Sequence, residues 1–173
     1  TFDMGGTTAK ASMVERGAYA RADDFEVGGG ILAGSRLLTG AGYSLKTQAI
    51  DLAEVGAGGG SLISIDSGGA LAVGPESAGA FPGPICYDLG GDKPTVTDAN
   101  LILGYLNPHA IAGGSVKLNF EKTVTAFEQK VAAPLGLTAE QAALGARRVA
   151  ASNMIRAIKA VSTERGRDPR QYT

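Results

Sequence analysis

Clustered glycine is the feature that most constrains this chain. Of its 173 residues, 26 are glycine, about twice the usual share of roughly 7%. They gather at Gly5-Gly6, at Gly28 to Gly30, at the Gly40/Gly42 pair, and in "VGAGGGS", which holds Gly56, Gly58, Gly59 and Gly60. Such clusters demand sites where the backbone turns tightly or where two backbones approach closely, because no Cβ stands in the way.

Between the clusters the first half reads as β-rich. Thr1 to Met4 leads into a turn at Gly5-Gly6-Thr7-Thr8, and Ala9 to Val14 leads out of it towards a second turn at Arg16-Gly17. Tyr19 to Val27 reads as a third strand, and Ser44 to Leu52 alternates as a fourth. Ser61 to Asp66 and Ala70 to Val73 form a hairpin across Ser67-Gly68-Gly69. From Gly74 to Thr95 four prolines and five glycines remove all periodicity. Phe81, Ile85, Tyr87 and Leu89 argue for an ordered loop that packs down, since structureless loops of this length are uncommon in compact domains.

The last third reads as helical. Thr97 is expected to cap a short helix through Leu106, which Asn107-Pro108 ends. Glu121 to Ala132 is a second helix, stopped near Pro134 and Gly136. Thr138 and Gln141 fit a capping box at the start of a long alanine-rich helix, marked by Leu144, Val149, Ile155, Ile158 and Val161 and ended by Gly166 and Pro169. Strands first and helices later make a mixed α/β lobe.

Composition excludes several functions. A net charge of −1 supplies no field for nucleic acid or an anionic membrane. A single cysteine, Cys86, and a single histidine, His109, rule out an internal disulfide, a cysteine zinc cluster and a histidine-based triad within these residues. No apolar run approaches the roughly 20 residues a membrane span needs. A cytoplasmic, reducing setting is expected. The missing initiator methionine and the ending at Tyr172-Thr173 suggest a segment of a longer chain.

The opening "TFDMGGTTAK" carries the clearest chemistry. Glycines let consecutive N–H groups face one anion, and threonine hydroxyls add donors. Asp3, at a strand end, suits Mg²⁺ held through water, and Lys10 returns as a point cation for phosphate. The plainer reading is a β-hairpin with a glycine turn and a surface lysine, since short glycine motifs recur by chance. The pattern GxxxxGK[ST] of a Walker A loop is absent.

Asp3-Met4-Gly5-Gly6-Thr7-Thr8 resembles the first phosphate loop of the actin-like ATPases, a group that includes sugar kinases, actin and the heat-shock ATPases. The segment "VGAGGGSLISIDSGGALAVGPESAGAFPGPICYDLGGDKPTVTDANLILGYLNP" is similar, nearly throughout, to the hydantoinase A / 5-oxoprolinase family. "VSTERGRDPRQYT" resembles the part of that family that leads into a second glycine-rich strand and turn. The resemblance implies an incomplete actin-like, ribonuclease-H-like lobe. Within it, 1–52 would hold the phosphate-loop strands, 53–108 a Gly/Pro-rich insertion and 109–173 a helical segment.

It also implies an enzyme that uses ATP and Mg²⁺ to activate a cyclic amide for hydrolysis, or a ketone for carboxylation, with a B-type hydantoinase subunit or domain as partner. Asp3 would be the catalytic metal-positioning residue, and Gly5, Gly6, Thr7, Thr8 and Lys10 would hold phosphates. Many relatives continue the loop as GGTSTD, so Lys10 stands at an acidic position and instead matches the phosphate-contacting lysine of actin. Residues 1–173 alone are expected to be inactive. A reading of another class is a non-catalytic module whose Gly/Pro-rich loop serves subunit assembly.

Other residues carry paired readings. Gly56, Gly58, Gly59, Gly60 and Ser61, preceded by Asp51 and Glu54, are either a second anion-binding turn or a place where two backbones cross. Glu76, Asp88 and Asp98 are carboxylates in or beside the long loop, and of these Glu76 has the better claim to a site. Asp98 is either a site carboxylate or a helix-start residue. Cys86 is read as buried packing and His109 as a local hydrogen-bonding residue.

Overall fold

The computed structural model describes residues 1–22, 25–27, 43–109, 111 and 116–172. The glycines at 28–30, 40 and 42 lie outside the described residues. The strands are β1 (Phe2–Met4), β2 (Ala9–Ser12), β3 (Val14–Glu15), β4 (Ala18–Tyr19), β5 (Arg21–Ala22), β6 (Phe25–Val27), β7 (Tyr43–Leu45), β8 (Ala49–Ile50), β9 (Leu52–Val55), β10 (Ser61–Ile65) and β11 (Leu71–Ser77). The α-helices are α1 (Val96–Ile102), α2 (Phe120–Phe127), α3 (Ala133–Leu135) and α4 (Ala139–Val161). Strands precede helices, as the sequence pattern requires.

The element that positions the opening turn is an antiparallel sheet in the order β1-β2-β9. Its register pairs Asp3 with Lys10 and Lys10 with Glu54, while Ala9 faces Val55 and Ala11 faces Ala53. Paired residues share a face of the pleat and neighbours along a strand alternate. One face is therefore buried, with Ala9, Ala11, Ala53 and Val55 packed on Ala157, Ala160 and Val161 of α4. Small side chains on both sides let helix and sheet approach closely, and each buried methyl contributes about 0.8 kcal/mol. The opposite face carries Asp3, Lys10 and Glu54.

The Arg16-Gly17 turn is present between β3 and β4, with both residues at positive φ, 51° and 78°. The expected third and fourth strands are broken instead: β4, β5 and β6 are separate pieces, and β5 and β6 pair with β8 and β7. The alternation read over Ser44 to Leu52 spans parts of β7, β8 and β9, because Lys46 to Gln48 and Asp51 leave the ladder.

The β10–β11 hairpin forms where expected. Asp66 Oδ1 accepts from the N–H groups of Gly68 and Ala70, both at 2.9 Å, and this closes the turn. β11 runs on to Ser77 and contains Pro75. The two strands form a sheet of their own, so Pro75 interrupts no third strand with its missing donor.

A second core joins Ile63 and Val73 of this hairpin to Val96 and Ala99 of α1, Phe127 of α2, Val131, and Ala142, Ala143, Ala146 and Ala150 of α4. α4 thus covers the hairpin with its first half and the β1-β2-β9 sheet with its second, and Met154 packs against both cores. Its capping box is present: Gln141 N–H donates to Thr138 Oγ1 at 3.2 Å, and Thr138 N–H to Gln141 Oε1 at 3.1 Å. Leu144, Ile155 and Ile158 are exposed on it; the buried stripe is alanine, as the composition of 139–161 indicates.

Three local expectations change. The cap of α1 is Thr95, not Thr97, and the helix ends at Ile102 because Gly104 turns the chain at φ +77°. Within the Gly/Pro-rich loop Ile85 is buried and Tyr87 half-buried, but Phe81 and Leu89 are 79% and 54% exposed. α2, capped by Asn119, continues through a π-helical turn (Glu128–Ala132) into α3, so the helical run goes past Ala132 and takes in Pro134. The helix stops at Gly136, which is left-handed with φ 65°.

Candidate functional site

The opening hairpin has the shape the sequence suggests, and its turn is tightened from within. Gly5 N–H donates to Thr8 C=O at 2.9 Å, so Gly5 shapes the turn and offers no amide outward. The N–H groups of Gly6, Thr7 and Thr8 donate to no acceptor among the described residues. Free consecutive amides in a glycine turn are the usual material of an anion-binding concavity.

What fixes this turn is the other glycine cluster. Gly59 N–H donates to Gly5 C=O at 3.0 Å and Gly60 N–H to Gly6 C=O at 2.6 Å. The remaining donors of the second turn are used locally: Gly58 N–H on Ser61 Oγ at 2.9 Å, and Ser61 N–H on Gly58 C=O at 3.1 Å. A Cβ on Gly58 would lie 2.7 Å from the carbonyl oxygens of both Gly5 and Gly6. Of the two readings of Gly56–Ser61, the crossing of two backbones is therefore the one the structure has. The cluster is a backbone clamp on the opening turn.

The clamp is braced in turn by α1. Thr97 N–H and Oγ1 both donate to Gly59 C=O, at 2.7 and 2.8 Å, which is why Thr97 does not cap the helix. Asp98, fully buried, accepts from Cys86 N–H and Thr95 N–H and from Thr95 Oγ1, each at 2.8 Å, and from Ile85 N–H at 3.3 Å. It completes a capping box with Thr95 and ties the Gly/Pro-rich loop to the helix start. Asp98 is a structural carboxylate.

Lys10 stands beside the turn. Its Nζ donates to Thr8 Oγ1 at 3.0 Å and lies 3.4 Å from Glu54 Oε1, with the two charged side chains 45% and 39% exposed. Asp3 is exposed on the same face, opposite Lys10 in register. Asp3, Gly5, Gly6, Thr7, Thr8 and Lys10 are thus brought together as one surface. Glu54 was missed as a member of it. The signal was in "LAEV", where Ala53 and Val55 point inward and Glu54 outward, but the adjoining glycine run hides the strand.

The other candidates stand apart. Glu76 is exposed on β11 and shares no hydrogen bond with the opening turn among the described residues. Asp88 pairs with Lys122 and Asn119, and the lysine contact holds its carboxyl below the usual range. Cys86 is fully buried; burial, then the Asp98 carboxylate, pushes its thiol up, so it stays protonated and is a packing residue. His109 N–H donates to Asn107 Oδ1 at 2.9 Å.

The C-terminal segment is fastened to the first third of the chain, at Asp51 just before β9 and at Glu15 in β3. Arg165 forms a nearly buried ion pair with Asp51 and donates from Nε to Ala160 C=O at 2.9 Å. Arg167 grips Glu15 with two bonds, of 2.7 and 3.0 Å, and Tyr172 Oη donates to the same carboxylate. These contacts, the Arg167 bond first, lower the Glu15 pKa to about 2.

The fold is α/β, an antiparallel sheet and hairpin under one long helix, with a glycine turn whose amides at Gly6, Thr7 and Thr8 are unpaired among the described residues. The chain belongs to the hydantoinase/oxoprolinase family, whose model matches residues 1–173. It is 41% identical over 174 residues to the caprolactamase subunit alpha of Pseudomonas jessenii, covering 99% of this chain and 23% of that one. It is 49% identical over 120 residues to the acetophenone carboxylase gamma subunit of Aromatoleum aromaticum, covering 69% and 16%.

Two solved structures share the fold. A nucleotide-free acetone carboxylase, in a structure titled for the mechanism of ATP-dependent acetone carboxylation, matches with TM-score 0.81 at 29% identity, over 99% of this chain and 22% of that one. The ATP-dependent caprolactamase of Pseudomonas jessenii matches with TM-score 0.77 at 42% identity, over 98% and 23%. The chain thus spans about a quarter or less of the length of these relatives.

Proposed function

We propose that the Asp3–Lys10 hairpin is one phosphate-binding wall of an ATP site in an actin-like fold, and that the whole protein opens cyclic amides by phosphorylating their carbonyl oxygen. The observation that carries this is the clamped turn: three amides of Gly6, Thr7 and Thr8 without acceptors among the described residues, beside a lysine that already donates to Thr8. Phosphoryl oxygens take N–H and ammonium donors, and catalysis of phosphoryl transfer is mainly positioning and charge neutralisation. Gly5 sets the bend, Gly6 to Thr8 supply donors, and Lys10 neutralises charge.

Asp3 is read as the residue that would position Mg²⁺. Among the described residues no group of three His, Cys, Asp or Glu side chains could hold a metal, which fits an ion that brings nucleotide oxygens and water with it. Asp3 would hold the ion near the turn, and the chemistry it would supply there is neutralisation of phosphate charge. The family membership and the caprolactamase likeness support cyclic amide hydrolysis. Identity of 49% to the acetophenone carboxylase gamma subunit favours a second reading, ATP-dependent carboxylation of a ketone. In both readings ATP activates the substrate through its carbonyl oxygen: a phosphorylated amide oxygen can leave as phosphate, whereas a phosphorylated enolate keeps its C–O bond while the α-carbon is carboxylated.

The relatives named as alpha and gamma subunits support a partner, proposed to be a B-type hydantoinase subunit or domain. Phe81, on the exposed Gly/Pro-rich loop, supports that loop as an assembly surface alongside the ATP site. The test is Mg-ATP binding by the full-length protein, measured calorimetrically. Lys10→Met is expected to raise Kd about 10- to 100-fold, the loss of a charge-assisted bond of roughly 1.5–3 kcal/mol, and Asp3→Ala to abolish ATP turnover. No affinity for Mg-ATP, with Asp3→Ala leaving any activity intact, would sink the ATPase reading. Turnover stimulated by a lactam, against turnover needing a ketone and bicarbonate, separates the two chemistries.

A further inference from the structure

The charged row across the sheet has a pattern the phosphate reading does not by itself explain. Asp3, Lys10 and Glu54 occupy adjacent register positions on β1, β2 and β9, so a cation lies between two carboxylates and the row carries a net negative charge. A site built only to attract phosphate would carry the opposite sign. Asp3 and Glu54 are two strand spacings apart, about 10 Å, so they flank the lysine and do not share one ion.

Glu54 is also fixed relative to the turn. It sits on β9, which runs directly into Gly58–Gly60, and the amides of Gly59 and Gly60 hold the carbonyls of Gly5 and Gly6. Its contact is with Lys10, 3.4 Å away, and both side chains are about half exposed. An ion pair of this exposure contributes little to stability, and it exchanges readily. An ammonium has three donors, and Thr8 and Glu54 account for two directions.

We propose that Glu54 is a specificity-determining residue of this site: it is the resident counter-ion that holds Lys10 against Thr8, and its charge makes the site select metal-complexed over bare polyphosphate. The inference rests on the phosphate-site reading above. When an anion arrives, Lys10 turns a donor to it, and Glu54 is left facing the phosphates. A bare polyphosphate meets that carboxylate with its full charge. A divalent cation cancels two of those charges, so the complex meets far less repulsion.

The experiment is calorimetric binding of ATP to the full-length protein, once with excess MgCl₂ and once with EDTA. Wild type is expected to prefer the Mg²⁺ form. Glu54→Gln removes the charge while keeping shape, and should tighten metal-free ATP binding about three- to tenfold, with the Mg²⁺ form changed less than about twofold and the melting temperature unmoved. Glu54→Asp should restore the wild-type ratio. A Glu54→Gln protein whose ratio of the two affinities equals that of wild type overturns the proposal. If wild type binds neither form, or if Lys10→Met and Thr8→Ala change neither isotherm, the phosphate-site reading itself fails and takes this inference with it.

Discussion

Two glycine turns of similar composition have opposite fates in this molecule. In Gly5–Thr8 the amides of Gly6, Thr7 and Thr8 find no acceptor among the described residues; in Gly58–Ser61 each N–H is used, two of them on the first turn. The difference lies in what each turn faces. The second is pressed between the first turn and α1, where unpaired backbone donors would be costly. The first has solvent on one side. Glycine therefore serves two ends here, close packing in one turn and ligand access in the other, and availability of the amides decides which is which.

The comparison can be broken most forcefully through the brace. Asp98→Ala leaves three backbone donors and a hydroxyl without their buried acceptor, and is expected to destabilise the protein by about 3–5 kcal/mol. Urea unfolding checks this, and a loss under about 1 kcal/mol would contradict the account of Asp98 as the anchor of the α1 start. The clamp itself comes next. Gly58→Ala puts a methyl 2.7 Å from two carbonyl oxygens and should cost about 2–3 kcal/mol. Gly6→Ala, with nothing within 4 Å of the new Cβ, should change stability by less than about 1 kcal/mol. Equal losses for the two would erase the distinction between the turns.

Smaller effects sharpen it. Thr97→Val removes the hydroxyl bond to Gly59 but keeps the amide bond, and should cost about 1 kcal/mol without altering the free amides. The least effect on stability is expected at Glu15, an exposed carboxylate whose folded pKa is depressed to about 2 by Arg167 and Tyr172. A depressed carboxylate stabilises the fold above its unfolded pKa of roughly 4.3 and loses that contribution as pH falls towards 2. An NMR titration of the Glu15 carboxyl carbon should give a midpoint near 2, returning to the ordinary range in Arg167→Gln. An unmoved midpoint would remove Arg167 from the clasp.

Much of the local structure was legible in the residues. The β10–β11 hairpin, the Arg16-Gly17 turn, the Thr138–Gln141 box and the alanine stripe of α4 follow from short-range rules, since each is decided by neighbours within a few positions. The misreadings share a cause. Thr97 has the chemistry of a cap, but Gly59, 38 residues away, takes its hydroxyl. Phe81 and Leu89 are apolar, yet the loop is anchored by Asp98 and not by them. Glu54 was read with the second glycine turn and not with the first, because its strand is defined by pairing with β2 and its own four residues look like the edge of a glycine run.

The sequence by itself determined that Gly5 to Thr8 would be a turn between strands, that Asp3 and Lys10 would flank it, and that the long helix would pack through alanine. Those outcomes rest on φ/ψ freedom, strand alternation and side-chain size, all local properties. Only the tertiary structure decided which glycine turn keeps free amides and which is buried as a clamp, and that Lys10 is paired with Glu54. Hydrogen-bond partners distant in sequence settle such choices: the same N–H is a structural donor when a carbonyl lies 3 Å away and a binding group when none does.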